Sequence, residues 1–409
     1  MRLLVVSNLF PPDRGGGASV FGDLCVGLTE LGWNVTVLTT YPYYPEWRLK
    51  TSAKPLEIQE EEIHGVRVLR HGAFIPSSPS RLIPRILFEA SFMVSIMRSL
   101  LRGGRFDAVM VFCPVLGAVC FGALRKFLFS ERVWLNIQDL PAEAAAASGI
   151  SRNRTLTNVA KAAQNWLFNR ADVWSSISTV MIESLLKIRT QNQPVYLCRN
   201  WLNDSMAREV NEVGAKLTRP PSNPIKLLYA GNIGKKQGLL EFCQRLSQES
   251  ISFHLQINGN GGEATSVENW INQQQDPRFS FGEFLDEKGF VKALSEADIF
   301  VITERQGSGA SFIPSKLIPC ISTGTPIIGI CDKAGPLGRE VTENHLGKII
   351  EWDEIKCISE ILNCLCTNPD ILFSYQSRCL QHSANYRREC AIPKLDALLR
   401  GMATADRAK

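Results

Sequence analysis

The chain has 409 residues, of which 45% are hydrophobic and 21% charged, and its formal net charge is +5. That length exceeds what a single hydrophobic core usually organises, so we expect two domains of roughly 200 residues each. The composition is ordinary for a globular protein. The positive charge is too dilute to indicate nucleic-acid binding, but it is compatible with anionic ligands or with an anionic membrane surface.

The amino-terminal segment MRLLVVSNLFPPD contains one basic residue and a short apolar run that stops at Asn8. It predicts a buried strand rather than a signal peptide, so we expect a cytoplasmic protein. The closest approach to a membrane span, residues 108–124, is short and is interrupted by Pro114 and two glycines. We interpret it as a buried strand followed by a buried helix.

Twelve cysteines are scattered along the chain without a C-x-x-C pair. This pattern favours reduced core thiols over a disulfide framework. Near the carboxyl terminus the spacing of Cys364, Cys366, Cys379 and His382 would allow zinc binding. They lie in a helical pattern without surrounding turn residues, which favours buried cysteines and a surface histidine, so we expect no metal ion and no other cofactor.

The first part of the chain alternates apolar strands with helical patterns. Residues 2–8 and 34–40 predict two strands, and the segment 18–31 between them has apolar residues at helical spacing and stops at Gly32. This βαβ unit implies a parallel sheet. Further strands are predicted at residues 106–112, 132–139 and 172–178. Their continuous apolar character is typical of a sheet that is buried on both faces.

The sequence turns polar over residues 204–224, and the prolines of LTRPPSNP (217–224) cannot continue a helix, so we expect a linker there. A second series of strands alternating with helices follows this segment. These strands are predicted at residues 225–230, 252–258, 278–281, 298–303 and 326–330. The second half of the chain is therefore predicted to be another parallel α/β domain.

The predicted fold class is α/β, with two Rossmann-like, doubly wound parallel-sheet domains facing a central cleft. The first domain spans residues 1–203 and the second residues 225–385, while residues 386–409 form a helix and tail that can cross back to the first domain. Ligands of such folds bind outside the carboxyl ends of the strands.

A glycine-rich loop, RGGGASV, stands where the first strand feeds the first helix. Gly15–Gly17 would let the backbone approach an anion or a sugar at the helix amino terminus. The dinucleotide fingerprint is not matched, because Val20 takes the place of its last glycine and Thr39 and Thr40 end the second strand where an acid is needed. A surface turn without a ligand is the alternative interpretation.

The second domain contains comparable loops. YAGNIGKKQG (229–238) places Lys235 and Lys236 between a strand and a helix, which suits a diphosphate, and INGNGG (257–262) follows the next strand. In the segment 303–329, Pro314 is a suitable first helical residue and Lys316 falls in the first turn. A lysine there is unfavourable for the helix dipole, which indicates a bound anion, although a solvated lysine is the alternative.

In their order and spacing these motifs resemble the retaining family-4 glycosyltransferases of the GT-B fold, within them the subgroup that builds colanic acid, O-antigen and related polysaccharides. The resemblance covers nearly the whole chain. The segments that carry it are FPPDRGGGASVFGDLCVGLTELGWNVTVLT, YPYYPEW (41–47), LNIQDLPAEAA (135–145), NWLN (200–203), YAGNIGKKQGL (229–239) and IPSKLIPCISTGTPII (313–328).

The resemblance implies a site for each part of the reaction. The glycine loop would face the donor phosphate and the acceptor. The pair Gln138 and Asp139 falls where many relatives have a histidine beside the reacting sugar. The implied catalytic residues are Gly16, Gly17, Gln138, Asp139 and Lys236. The implied donor-binding residues are Asn232, Lys236 and Gln237 at the diphosphate, Gly259 and Gly261 at the base, and Ser311, Ser315 and Lys316 at the sugar and phosphates.

One departure from the family concerns two glutamates that many relatives have in the second domain. Ser311 and Pro319 occupy the matching positions, and Glu304 could substitute for the lost contacts. A noncatalytic subunit that keeps the fold is therefore an alternative function, and a nucleotide-sugar epimerase of similar architecture is another.

The resemblance implies that a sugar moves from a nucleotide-sugar to a saccharide acceptor, which could be lipid-linked. Lys236 and Lys316 would stabilise the leaving diphosphate without a metal ion. The sequence has no D-x-D carboxylate pair of the kind that holds Mg²⁺, which agrees with this interpretation. Residues 81–105 form an apolar segment flanked by arginines, which could rest on an anionic membrane at the cytoplasmic face or pack on the first domain. YPYYPEW is either an acceptor-side aromatic surface or a proline-stiffened loop.

Overall fold

The computed structural model describes residues 1–13, 17–77, 81–141, 154–214, 220–307 and 313–404. The chain divides into two compact units, each built on its own sheet. The first unit comprises Met1–Asn200 and Glu389–Lys409, and the second comprises Trp201–Arg388.

The described part of the first unit contains an eight-stranded sheet in the order β3-β4-β2-β1-β5-β6-β7-β8. Its strands are β1 (Arg2–Val6), β2 (Asn34–Thr40), β3 (Ile58–Ile63), β4 (Val66–His71), β5 (Ala108–Cys113), β6 (Val133–Ile137), β7 (Val173–Ser176) and β8 (Val195–Leu197). The helices between them are α1 (Ala18–Glu30), α2 (Leu82–Met97), α3 (Leu116–Phe129), α4 (Arg154–Phe168) and α5 (Thr179–Ile188).

Most of this sheet is parallel, as the apolar strand pattern predicts. The edge strand β3 is the exception, because it pairs antiparallel with β4. The sequence reading missed both strands, since the charged run of Glu60, Glu61 and Glu62 in β3 hides the strand pattern. The helix α1 ends as predicted, with Gly32 at a φ of 88° directly after its last turn.

The described part of the second unit contains a six-stranded parallel sheet in the order β11-β10-β9-β12-β13-β14. Its strands are β9 (Ile225–Asn232), β10 (Phe253–Asn260), β11 (Phe279–Gly282), β12 (Ile299–Thr303), β13 (Ile327–Ile330) and β14 (Gly347–Ile350). Its helices are α6 (Asp204–Val213), α7 (Leu239–Ser247), α8 (Ala264–Gln274), α9 (Glu287–Glu296), α10 (Leu317–Thr323), α11 (Pro336–Glu343), α12 (Ile358–Thr367) and α13 (Pro369–His382).

The linker prediction is wrong for the residues that form α6. The helix begins where the side chain of Asn203 accepts a hydrogen bond from the Met206 backbone N–H at 2.8 Å. The polar composition concealed this cap, because only Val210 of α6 is buried. The last helix, α14 (Arg388–Thr404), packs in the first unit, where Asp396 accepts a hydrogen bond from the indole of Trp33 at 2.6 Å.

All twelve cysteines are free, and seven of them are buried. In the cluster near the carboxyl terminus the expectation of buried cysteines holds for Cys379, whose thiol is directed at the carbonyl of Leu346, and is wrong for Cys364 and Cys366, which are exposed. His382 is not a solvated surface histidine. Its Nε2 lies 2.7 Å from the buried carboxylate of Glu340. Among the described residues no group of three or more histidine, cysteine or acidic side chains could hold a metal ion.

The helix α2 lies over the first sheet and turns Phe88, Phe92 and Ile96 into the core. It is therefore a packed helix on one side, and its other side is exposed. Within the described part of the chain, no helix has both the length and the apolar character needed to cross a bilayer.

The first unit contains a buried ion pair between Arg125 of α3 and Glu131, which follows this helix. Arg125 and Glu131 are both fully buried, and the Nε of Arg125 donates to Glu131 at 2.8 Å. The same guanidinium donates to the carbonyl of Gly104, which ties down the chain before β5. Removal of one partner would leave an uncompensated charge in the core.

We predict that Glu131→Ala lowers the free energy of unfolding of the first unit by about 3–5 kcal/mol, because the Arg125 guanidinium stays buried without its carboxylate. Glu60→Ala is the matched control, since it removes a pair with Arg67 in which both side chains are about half exposed. That control should cost less than about 1 kcal/mol. Urea denaturation followed by circular dichroism measures both, and equal losses would contradict the account.

Candidate functional site

The predicted donor residues of the second unit lie at the carboxyl edge of its sheet, and the loop from β9 to α7 is the centre of this group. Within the loop the side-chain oxygen of Gln237 accepts a hydrogen bond from the backbone N–H of Gly234 at 3.0 Å, and the hydroxyl of Tyr229 donates to the carbonyl of Asn232 at 2.7 Å. Asn232 is exposed and Lys236 is half-buried. The loop is therefore ordered by its own polar contacts while these side chains remain accessible.

Gly259 and Gly261 lie beside this loop because β10 pairs in register with β9 up to its last residue. A Cβ atom at Gly259 would overlap the carbonyl oxygen of Gly231, and one at Gly261 would lie 2.5 Å from the carbonyl oxygen of Ile233. Both glycines thus allow the two strand ends to approach each other closely. Their predicted contact with a nucleotide base stays a prediction.

Lys316 reaches the same loop from the start of α10. Its ammonium lies 5.2 Å from the centre of the Tyr229 ring, and a Cβ atom at Gly231 would overlap it. Burial lowers the pKa of Lys316 to about 8, so the side chain is still mostly charged at neutral pH. Lys316 is therefore packed against Tyr229 rather than extended into solvent, and its contact with an anion stays a prediction.

Glu304 follows β12 and lies close enough to Lys236 for the two charges to interact. Its side chain is only 6% exposed, and its Oε1 is buried without a hydrogen-bond partner. Burial, with a smaller contribution from the charge of Asp332, raises the pKa of Glu304 to about 7, although Lys236 acts in the opposite direction. The backbone N–H of Arg305 donates to the carbonyl of Lys236 at 2.7 Å, which joins the two loops.

The structure corrects the expected start of α10 and leaves two predicted residues undescribed. The helix begins at Leu317, so Pro314 is not its first residue, and Ser315 is exposed before it. Pro319 is buried inside the helix. Gly16 and Ser311 were predicted as site residues and lie outside the described residues.

In the first unit the predicted residues also lie at the carboxyl edge of the sheet. Gly17 precedes α1 with a φ of 90°, a conformation that favours glycine. Gln138 directly follows β6, and its side-chain oxygen accepts a hydrogen bond from Asn200 at 2.8 Å while its amide donates to Asn136 at 2.5 Å. Asp139 is half-buried next to it. Gln138 therefore has a fixed orientation.

The YPYYPEW segment divides between the core and the surface. Tyr43 is buried and accepts a hydrogen bond from Asn8 at 2.8 Å, which agrees with a structural role. Tyr44 and Trp47 are partly exposed, and the guanidinium of Arg85 lies 5.4 Å from the centre of the Trp47 ring. Neither of the two sequence interpretations holds for the whole segment.

Several residues of these edges were missed by sequence reasoning. Asn136 and Asn200 hold Gln138, Tyr229 faces Lys316, and the indole N–H of Trp352 donates to the Glu304 carbonyl at 2.7 Å. Asn136, Asn200 and Tyr229 lie inside the motif segments quoted above, but nothing in those segments indicates which distant side chains they contact. Trp352 lies outside every such segment, so no sequence signal marked it.

Comparison with known proteins identifies the class. Residues 15–201 match the family described as Glycosyl transferase 4-like domain. The chain is 26% identical over 351 residues to WcaI of Escherichia coli (strain K12), a protein named as a colanic acid biosynthesis glycosyl transferase, with 83% of this chain and 85% of WcaI covered.

Solved structures give the same fold. Sucrose-phosphate synthase from Thermosynechococcus elongatus matches with a TM-score of 0.74 at 15% identity, over 99% of this chain and 100% of that one. HepE of Anabaena, solved in complex with UDP and glucose, matches with a TM-score of 0.67 at 14% identity, over 98% and 100% of the two chains.

The protein is a glycosyltransferase of the GT-B fold. Residues 15–201 form its Glycosyl transferase 4-like domain. The resemblance to family-4 enzymes that the sequence motifs indicate is thereby confirmed.

We predict that the change in unfolding free energy caused by Glu304→Gln is more favourable at pH 8 than at pH 5. The carboxyl of Glu304 has a pKa of about 7 when folded and an ordinary, lower pKa when unfolded. Its favourable contribution is therefore fully present near pH 4 and is lost as the pH rises through 7. The difference in unfolding free energy between variant and parent should grow by about 1–3 kcal/mol from pH 5 to pH 8.

Denaturant titrations at the two pH values measure this difference. Glu283→Gln is the control, because Glu283 is exposed directly after β11, and its effect should not change with pH. A constant difference for Glu304→Gln would mean that Glu304 is ionised throughout and would contradict the burial argument.

Proposed function

We propose that the protein transfers a hexosyl group from a nucleoside diphosphate sugar to a saccharide acceptor, with retention of anomeric configuration and without a metal ion. The observation that carries this proposal is the environment of Lys316. Lys316 is half-buried, and its ammonium forms a cation–π contact with Tyr229 but no ion pair with any described residue. A cation held partly out of water with no carboxylate partner among the described residues is suited to bind an anionic ligand.

The leaving diphosphate is the group that these charges would stabilise. Lys236 and Lys316 contribute two cations at the carboxyl edge of the second sheet, and the amino terminus of α7 directs backbone N–H groups to the same edge. As the glycosidic bond opens, negative charge grows on the diphosphate, and fixed positive groups lower the energy of that state. These groups can act on the leaving group in place of a metal ion.

Two further side chains suit the sugars. Gln138, whose amide is oriented by Asn136 and Asn200, would bind a hydroxyl of the transferred sugar or of the acceptor. Glu304, which stays largely protonated up to a pH of about 7, would exchange hydrogen bonds with a donor hydroxyl. Its unpartnered Oε1 supports this role.

The biological setting follows from the relatives. WcaI is named for colanic acid biosynthesis, and HepE was solved with UDP and glucose, which supports a nucleotide-sugar donor and a role in polysaccharide assembly. The acceptor in this proposal is lipid-linked, so the protein would work at the cytoplasmic face of the membrane.

We predict that the purified protein releases a nucleoside diphosphate from one of UDP-, GDP- or dTDP-hexose when a saccharide acceptor is present, with and without EDTA. Lys236→Ala should lower kcat/KM by roughly 100-fold, because one cation facing the developing charge is lost. Lys235→Ala is the matched control: Lys235 is the exposed neighbour in the same loop and should keep nearly full activity.

Proton NMR of the product then gives its anomeric configuration. Loss of activity in EDTA that Mg²⁺ restores would contradict metal independence, and an inverted product would contradict retention. Equal effects of the two lysine substitutions would remove Lys236 from the site, and folded protein without any turnover would favour the noncatalytic subunit.

A further inference from the structure

The exposed apolar side chains of this protein are concentrated on one part of the first unit. Eight of the sixteen large apolar side chains that are exposed among the described residues lie on α2, on α3 and in the segment directly after α2. We call this set the α2–α3 apolar surface. Its members are Ile83, Ile86, Leu87, Val94, Leu101, Leu124, Phe127 and Leu128. In contrast, the second unit has two such residues, Val213 and Phe284.

Helical spacing explains why α2 contributes a continuous stripe. Ile83, Leu87 and Val94 recur at intervals of four and seven residues, so they share one side of α2. Leu101 is exposed in the turns that follow the end of the helix at Met97. The core contacts of α2 come from a different side, through residues such as Phe92. These apolar side chains therefore remain exposed when the helix packs on the sheet.

The exposed residues of α3 extend this stripe. The helix α2 connects β4 to β5 and α3 connects β5 to β6, and because both crossovers run in the same direction across the sheet they lie on the same face. They pack together at Gly117, where an added Cβ would lie 3.0 Å from Met93. Phe127, which is 83% exposed, and Leu124 lie on the outer side of α3. The two helices together thus present one apolar surface.

The exposed charges on α2 and in the segment directly after it are basic. Four arginines that border the α2–α3 apolar surface are exposed, namely Arg81, Arg98, Arg102 and Arg105. The segment 81–105 has one acid, Glu89, and α3 has none. Glu89 turns inward, where its carboxylate accepts a hydrogen bond from the backbone N–H of Gly117 at 3.3 Å. The charges exposed on α2 and in the segment directly after it are therefore basic, although Arg98 and Arg102 lie near the exposed acids Glu57 and Glu60.

We propose that the α2–α3 apolar surface docks on an anionic lipid bilayer. The aliphatic and aromatic side chains would enter the boundary between headgroups and acyl chains, and the bordering arginines would contact lipid phosphates. The bordering arginines favour this occupant, since exposed apolar groups flanked by arginines complement a negatively charged interface, and the single acid of the segment 81–105 turns inward. The proposal deepens the proposed function, because it would bring a lipid-linked acceptor and the enzyme to one membrane, but the docking itself can be tested alone.

Vesicle flotation of the full-length protein tests this docking. Protein mixed with vesicles of phosphatidylcholine and phosphatidylglycerol should float, while protein mixed with pure phosphatidylcholine should stay at the bottom of the gradient, and added salt should weaken flotation. The double variant Leu101→Ser, Phe127→Ser removes two strongly exposed apolar side chains, and Arg102→Glu, Arg105→Glu reverses the charge of two bordering arginines. Each should reduce the floated fraction by roughly tenfold.

Matched controls separate docking from general surface effects. Leu31→Ser changes an exposed leucine at the end of α1, which lies on the opposite face of the sheet because its crossover runs in the opposite direction. Lys292→Glu reverses an exposed charge on α9 of the second unit. Both should float like the parent protein, and circular dichroism checks that all variants are folded.

Three outcomes would overturn the proposal. They are absence of flotation with anionic vesicles, equal flotation of all variants, and a dimer in light scattering that Leu101→Ser, Phe127→Ser dissociates, since the surface would then join two copies. Turnover with a water-soluble acceptor keeps the two proposals apart. It should be unchanged in the surface variants, and its failure in a parent protein that floats normally would count against the proposed function alone.

Discussion

The absence of a side chain at Gly231 is the constraint on which the packing at the carboxyl edge of the second sheet depends. A Cβ atom there would overlap the Lys316 ammonium, and the carbonyl oxygen of the same glycine packs against Gly259. One small residue therefore admits a half-buried cation and lets two strand ends approach each other. Gly231 also has a φ of 125°, which L-residues rarely adopt, so backbone and packing both select glycine.

The two units place different side-chain chemistry at the same edge of a parallel sheet. In the second unit the charged residues Lys236 and Glu304 follow the strands β9 and β12, and Lys316 directly precedes α10. In the first unit, neutral amides hold Gln138 after β6 through hydrogen bonds with Asn136 and Asn200. This division suits a reaction that needs cations for a leaving diphosphate and neutral hydrogen-bonding groups for sugar hydroxyls.

The sequence predicted the repeating architecture well because buried parallel strands and helix stops are local signals. The strand at 34–40 and the stop at Gly32 follow from apolar runs and glycine conformation. The strand β3 and the helix α6 escaped prediction, since charge hides the first and a side-chain cap starts the second. Tertiary facts escaped too: the burial of Lys316 depends on Tyr229 and Gly231, which are more than 80 residues away in the sequence.

Hydrogen–deuterium exchange of the full-length protein with and without UDP, GDP or dTDP tests the central claim most directly, namely that the carboxyl edge of the second sheet binds the donor diphosphate. Binding should slow exchange of backbone N–H groups in 231–238 and in the segment around Lys316, because ordered amides and a paired cation open less often. Lys316→Met should reduce that protection. Protection that leaves both segments unchanged and falls elsewhere in the chain would contradict the account.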